Sequence, residues 1–435
     1  MAANIRALPE CHASHCLAHS QDFQTFPLIT LRLNMRPLAP ARKTKLHFRL
    51  WLYVMQRCGF LFPLCAALLT AGCATLGGPA LEEGAKPRMI SIFAVSTRKD
   101  EGDASSDALD GKGPRYSLQI LSVPPLHKPG TIERPAFGDE DPQEHFAALS
   151  RRGLDEDSFY TAIASHVSGR IGVNRDILLY VHGFNTSYDE ARYRLVQIVA
   201  DARFGGVPVL YTWPAAGSLL DYGAAKENAA IARGPLSRLL RRLSDVPGAG
   251  RIHILAHSMG AWLAMEALRE NAISGSPGLN GKLGEVMLAA PDIGLSVFRE
   301  QLSRLDPSHI CILTASNDRA LSLSRRLAGD RPRLGALGLG NPEDRAAIEE
   351  LGVKAYDVSR ESTGWTGHAT YASAPLVVRM IGAQLAGARP QDANVQAVLG
   401  EKPVTTEILA APLAPPPGVA AAPSQGAEPP SAPAQ

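Results

Sequence analysis

Gly250-Arg-Ile-His-Ile-Leu-Ala-His-Ser-Met-Gly-Ala-Trp-Leu-Ala-Met-Glu-Ala-Leu-Arg-Glu-Asn271 is the stretch whose reading decides the fold. Ile252 to Ala256 is a short apolar run of the kind that forms a buried strand. From Met259 onward, Ala261, Leu263, Ala264, Ala267 and Leu268 fall near helical spacing. Between the two lies Ala256-His257-Ser258-Met259-Gly260, a small-x-Ser-x-Gly turn. A strand that turns at once into a helix holds the turn residue in a strained conformation and lifts its hydroxyl clear of the sheet. Small residues two positions either side of Ser258 let strand and helix pass closely. The helix N-terminus then lies beneath any negative charge that forms at the serine.

Outward from this turn, strand and helix patterns alternate, which implies an α/β fold with a mostly parallel central sheet and helices on both faces. Met89–Ser96 and Tyr116–Val123 read as a first pair of strands, with a polar loop between them. Val123-Pro-Pro-Leu-His-Lys-Pro-Gly-Thr-Ile-Glu-Arg-Pro135 is too rich in proline for a central strand or a helix, so it is expected to cross the surface as an ordered segment or arm. Strands follow at Ile177–Val181 and Val207–Trp213, the first leading to a helix at Asp189–Arg203. A helix at Tyr222–Leu243 leads into the serine strand. Beyond it come a strand at Glu285–Ala290, a helix at Leu295–Leu305 and a strand at His309–Thr314. A partly helical excursion through Glu350, a strand at Val353–Val358 and a last helix at Tyr371–Ala386 complete the pattern.

Serine alone is a poor nucleophile and needs a base, which in turn needs a carboxylate to fix its tautomer. After a strand–turn–helix serine of this kind the partners follow in the order acid, then histidine. Asp318 follows the strand His309–Thr314, and His368 follows the last strand and is the only histidine beyond His309. Loops at the carboxyl ends of parallel strands share one edge, so Ser258, Asp318 and His368 should converge there. Asp292, in Ala290-Pro-Asp292, is the rival acid, and its plainer reading is an N-cap for the helix at Leu295. The two oxyanion donors are expected to be the backbone N–H groups of Met259 and of Phe184, in the loop His182-Gly-Phe-Asn185. His182 precedes the serine and is expected to brace this loop. His253 reads as structural, and His257 as the variable residue of the turn. Trp213, Pro214, Tyr222 and Trp365 are candidate pocket walls or ordinary packing residues. Only four residues separate Ala290 from Leu295, too few for a helical lid, so no large cap domain is expected.

Val181-His-Gly-Phe-Asn185, Tyr211-Thr-Trp-Pro214, Ala256-His-Ser-Met-Gly260, Ala289-Ala-Pro-Asp292 and Ser316-Asn-Asp-Arg-Ala320, with the proline-rich stretch upstream, together resemble an uncharacterised family of bacterial α/β-hydrolases. The resemblance spans roughly residues 89–386. It implies a Ser-Asp-His hydrolase fold and no particular substrate.

Charge and cysteine placement set further bounds. Residues 1–57 hold eight Lys and Arg against Glu10 and Asp22, a net of +6, so the remainder carries −4 of a whole-chain net of +2. An acidic body argues against a nucleic-acid partner. Five of the six cysteines lie before residue 74, which leaves Cys311, inside the apolar run Ile310–Leu313, as a core residue without a disulfide partner in the body. No zinc pattern is present, so no metal and no cofactor are expected. Residues 1–54 are expected to be unstructured or an upstream extension. Residues 55–73 have the layout of a lipoprotein signal: Met55-Gln-Arg57, an apolar run from Phe60 to Leu69, then Thr70-Ala-Gly-Cys73. A lipid on Cys73 would tether the protein without a spanning helix, on the periplasmic side of the bacterial envelope and at its outer membrane. Residues 74–88 read as a linker, 89–388 as the hydrolase domain, and 389–435 as a disordered Pro/Ala-rich tail.

The expectation is a lipid-anchored serine esterase acting on a small acyl substrate. Its alternatives are a thioesterase or amidase using the same residues, and a non-catalytic envelope lipoprotein that binds a partner on this fold.

Overall fold

The computed structural model describes residues 85–99, 113–215, 217 and 221–387. The expectations for residues 1–54, for the signal at 55–73 and for the tail from 389 lie outside the described residues.

Strand β1 (Arg88–Ser96) pairs antiparallel with β2 (Arg115–Val123), and β2 with β3 (Ala147–Leu154). Helix α1 (Glu156–Val167) is followed by β4 (Ile177–Val181), α2 (Tyr188–Asp201) and β5 (Val207–Thr212). Next come α3 (Tyr222–Ser244), β6 (Ile252–His257), α4 (Met259–Ile273), β7 (Leu283–Ala289) and α5 (Leu295–Leu302). The chain continues through β8 (Ile310–Thr314), α6 (Arg319–Leu327), α7 (Pro342–Leu351), β9 (Lys354–Asp357), the short α8 (Thr370–Ser373) and α9 (Pro375–Leu385). The sheet order is β3-β2-β1-β5-β4-β6-β7-β8-β9, and every pairing from β1 to β9 in that order is parallel.

The central strands are apolar on both sides because both sides are covered. Phe159 and Ile163 of α1, Leu236 and Leu240 of α3, Leu263 and Leu268 of α4 and Phe298 of α5 pack with Leu179 and Ile254 on one face. Tyr193, Val196 and Ile198 of α2 and Val377 and Ile381 of α9 pack with Leu178, Tyr180 and Leu255 on the other. Cys311 is buried in this second layer. Ser187 starts α2 with a capping box, its hydroxyl taking the Glu190 N–H while the Glu190 carboxylate takes the Ser187 N–H. No helix among the described residues is long and apolar enough to cross a membrane.

The elements expected from sequence form close to their expected places, with three differences. Strand β3 and helix α1 are additional to the elements expected from sequence. β3 is an edge strand exposed along most of its length, so it lacks the apolar signal of the inner strands. The last helix is two helices, because Pro375 has no N–H to continue a turn and pushes Ala374 into an extended conformation. The excursion after β8 resolves into α6 and α7, the latter started by Asn341 and Pro342 and ended by Gly352 in the left-handed region.

The carboxyl ends of β4, β6, β7 and β8 form one rim. There α4 crosses β4 so closely that a Cβ on Gly260 would stand 2.2 Å from the His182 carbonyl oxygen and 2.8 Å from that of Val181. Gly260→Ala should therefore push α4 off the sheet and cost about 1–3 kcal/mol or more, read as a lower urea midpoint. An unchanged midpoint would show that the helix can slide without loss.

Candidate active site

Ser258 sits between β6 and α4 with φ 54° and ψ −120°, a backbone region that residues with side chains seldom occupy. Its surroundings over-determine it. The Ser258 N–H donates to the Ala289 carbonyl at 2.9 Å. The Ser258 carbonyl accepts from Ala261 N–H at 3.1 Å and Asp292 N–H at 3.2 Å. Ala256 stands fully buried where the pattern more often has glycine, and the crossing tolerates its methyl.

The loop after β4 lies directly on this turn. A Cβ on Gly183 would come within 2.8 Å of His257 Nδ1 and 3.0 Å of Ser258 Cβ, so only glycine fits there. Asn185 turns the chain away with φ 51°, and its N–H donates to the Ala215 carbonyl at 2.5 Å. Phe184 thus directly follows the residue that abuts Ser258, and its ring is edge-on to Tyr222 at 5.7 Å. Met259 is the first residue of α4, where the N–H has no partner within the helix.

His182 is occupied on both nitrogens. Nδ1 donates to the Gly183 carbonyl at 2.9 Å, and Nε2 accepts from Trp213 N–H at 3.2 Å, with Thr212 Oγ1 at 3.0 Å and Arg98 Nη2 at 3.3 Å. Its ring stacks on Trp213, whose indole N–H donates back to the His182 carbonyl. Burial first, and the Arg98 charge second, pull its pKa down to about 3. A neutral ring with no free lone pair is a brace, as expected of it. Arg98 is itself buried and donates to Thr212 Oγ1 at 2.8 Å and the Thr186 carbonyl at 2.6 Å. Its sequence position gives no sign of this burial, since a basic residue at the start of a polar loop looks solvated.

Asp318 and His368 come together. Asp318 is fully buried, with Oδ1 accepting from Leu321 N–H at 3.0 Å as the N-cap of α6 and Oδ2 accepting from His368 Nδ1 at 2.6 Å. The two loops are further joined by Arg319 N–H on the Thr366 carbonyl. His257, next to Ser258, donates from Nε2 to the His368 carbonyl at 3.1 Å, and the two rings lie 4.6 Å apart. Burial, then His368, hold the His257 pKa well below its ordinary value, so this ring is neutral. On its other side it stacks on Tyr371, whose hydroxyl meets that of Tyr180 at 2.7 Å. His257 thus links the Ser258 turn to the His368 loop, a tie that the sequence did not show. No hydrogen bond joins the Ser258 hydroxyl directly to His368 in this state.

Asp292 has other partners. Its carboxylate accepts from Tyr222 Oη at 2.6 Å and Ser324 Oγ at 2.6 Å, and is ion-paired with Arg333 at 3.2 Å. It does not cap α5, whose N-cap is Gly294 without a side-chain bond. Pairing with a buried guanidinium takes it into a structural network instead. The segment that carries Arg333 is stitched to the same turn: Gly335 N–H donates to Pro291 O and Leu334 N–H to Ile293 O. Of the candidate pocket walls, Trp213 is fully buried and Trp365 is exposed beneath the Arg319 guanidinium. His253 is structural, held between Asp176 Oδ2 and Glu285 N–H. Among the described residues no group of His, Cys, Asp and Glu side chains is arranged to hold a metal.

A mostly parallel sheet, a strained serine between strand and helix, a glycine-bearing loop pressed on it, and no inserted cap define an α/β-hydrolase. A family model described as an alpha/beta hydrolase of unknown function (DUF900) matches residues 155–389, more than half of the chain, and the chain belongs to that family. Among solved structures, a predicted CIB-like hydrolase from Thermoplasma acidophilum is similar at 12% identity and a TM-score of 0.32, over 69% of this chain and 99% of that one. No curated protein matches.

The two buried rings give stability an acid limb. His182 and His257 are neutral when folded and regain an ordinary pKa near 6.5 when unfolded, so the unfolded chain binds more protons below that pH. Their contribution is present above about pH 6.5 and is lost as pH falls, for His182 down to about pH 3. Urea unfolding at stepped pH should show a loss of about 1.4 kcal/mol per pH unit for each ring below pH 6. The slope should lessen in His182→Gln; a slope unchanged by that substitution would contradict a neutral His182.

Proposed function

We propose that this hydrolase is a serine esterase that opens carboxylic esters through an acyl-enzyme on Ser258. The observation that carries the reading is the 2.6 Å bond from His368 Nδ1 to a fully buried Asp318, at the rim where the Ser258 turn stands. With its Nδ1 proton given to Asp318, the His368 ring keeps a lone pair on Nε2. Nε2 takes the Ser258 proton as Oγ attacks the acyl carbon, then returns it to the leaving alkoxide. Asp318 holds the tautomer and offsets the positive charge on the ring. The oxyanion of the tetrahedral intermediate is received by the N–H groups of Met259 and Phe184, each worth about 3–4 kcal/mol of barrier. Water, activated by the same imidazole, then releases the acid. His257 positions His368 through its carbonyl and is a poor proton acceptor itself, because burial disfavours its charged form.

The substrate reading follows from access. With no cap inserted between Ala290 and Leu295, and with the Arg333 segment tied down on the Asp292 turn, the rim suits a soluble ester more than a long acyl chain in a tunnel. A fluorophosphonate probe should label the wild type and not Ser258→Ala. Asp318→Asn should lower kcat on the order of 10³–10⁴-fold, with a smaller fall in Asp292→Asn, measured with a p-nitrophenyl ester. Labelling that survives loss of Ser258, or the reverse ranking of the two aspartates, would overturn these roles.

We further propose that the enzyme works at the bacterial envelope, tethered by lipid on Cys73; the support is the basic-apolar-Ala-Gly-Cys layout of residues 55–73. Metabolic labelling with an alkynyl fatty acid should mark the full chain and be lost in Cys73→Ser. Equal labelling of both would remove the anchor.

A further inference from the structure

The proline-rich stretch after β2 has no part in the esterase reading, yet it is built with care. His127 is clamped between two carboxylates, Nδ1 on Glu133 Oε2 and Nε2 on Asp201 Oδ1, each at 2.8 Å. Glu133 also accepts from Lys128 N–H and Thr131 Oγ1. Asp201, at the end of α2, takes the Gly130 N–H and the Gln197 amide as well. Pro124, Pro125 and Pro129 thereby become a fixed wall.

That wall bounds a cavity of about 360 Å³ whose other sides carry Lys86, Arg88, Arg203 and Arg379. These four cations come from the approach to β1, β1 itself, the turn after α2, and α9. Arg88 touches the Ala200 carbonyl at 3.5 Å, and none of the four is ion-paired among the described residues. The one carboxylate in the lining, Asp201, is already satisfied by His127, Gly130 and Gln197. The cavity therefore carries four cations against a single carboxylate, and that carboxylate is held by its own partners on the proline-rich wall. Arg88 opens β1, which runs parallel to β5, so the cavity lies at the amino-terminal edge of the sheet, opposite the Ser258 rim.

We propose that this cavity is a second, non-catalytic binding site that takes a phosphate group carried on a small organic body. Guanidinium groups match phosphate oxygens in pairs and remain charged at all physiological pH. A bare oxyanion would leave much of about 360 Å³ empty, whereas a phosphate with a glycerol-sized substituent would use it. The same chemistry is offered by a free phosphate ester and by a phospholipid headgroup, and two probes separate them.

The test uses the full chain, the charge-removing pair Arg203→Gln/Arg379→Gln, and a control pair Arg233→Gln/Arg269→Gln that removes the same charge from α3 and α4. Glycerol phosphate is titrated by calorimetry, and flotation is compared on phosphatidylglycerol-containing and pure phosphatidylcholine vesicles. The site is supported if glycerol phosphate binds saturably and the cavity pair, not the control pair, weakens it by about tenfold or more. It is equally supported, with the headgroup as source, if flotation on anionic vesicles exceeds that on neutral ones and only the cavity pair removes the excess. Absence of both effects, or equal losses in the two pairs, overturns it. Circular dichroism of each variant separates a lost site from a lost fold.

Discussion

Close contact between the backbone of β4 and the Ser258 turn is the constraint on which the rest of the rim depends. Gly260 lets α4 touch the carbonyls of Val181 and His182, and Gly183 lets the following loop touch His257 and Ser258. Two missing side chains thus permit the close approach of strand, helix and loop. The strained backbone at Ser258 persists because three backbone hydrogen bonds on its own N–H and carbonyl hold it. The strain is local, and the packing that holds it is the core itself, since Ile254, Leu263 and Leu268 belong to one buried layer.

Much of this was legible in sequence because it is local. Continuous apolar strands, a small-x-Ser-x-Gly turn and the order serine, aspartate, histidine are patterns in one dimension. The meeting of Asp318 and His368 was legible for a different reason: parallel strands send their following loops to one edge whatever the loops contain. Residues whose role is set only by what comes opposite them were not legible. Arg333 lies in Gly-Asp-Arg-Pro-Arg, which reads as solvated until the turn at Asp292 is laid against it. Arg98 is buried only because the His182 loop folds over it. His257 sits at the turn's least restricted position in sequence, yet it bridges to the His368 carbonyl 111 residues away.

The rim is also shaped by the charge it leaves out. Three imidazoles stand near Ser258, and two of them are held neutral by burial. A cationic His182 or His257 would set a positive charge beside the Ser258 turn, and desolvation removes it; for the proposed role of His368 this takes away a competing charge. The same burial fixes their tautomers, so each presents one donor and uses it to hold backbone: His182 the carbonyl of Gly183, His257 the carbonyl of His368.

The two aspartates differ in the same physical terms. A carboxylate can assist a neighbouring imidazolium only if its charge has not already been spent. Asp292 meets a buried guanidinium and two hydroxyls, so its field is largely compensated within its own network. Asp318 meets one backbone N–H and one imidazole. Arg319, the nearest cation in sequence, lies over Trp365. In a buried setting an uncompensated carboxylate is costly unless its one strong partner can share the charge. His368 is that partner, through the 2.6 Å bond from its Nδ1. Asp292, neutralised by Arg333, ties α3 and the Arg333 segment to the serine turn, so the rim has one carboxylate for shape and another whose charge remains available.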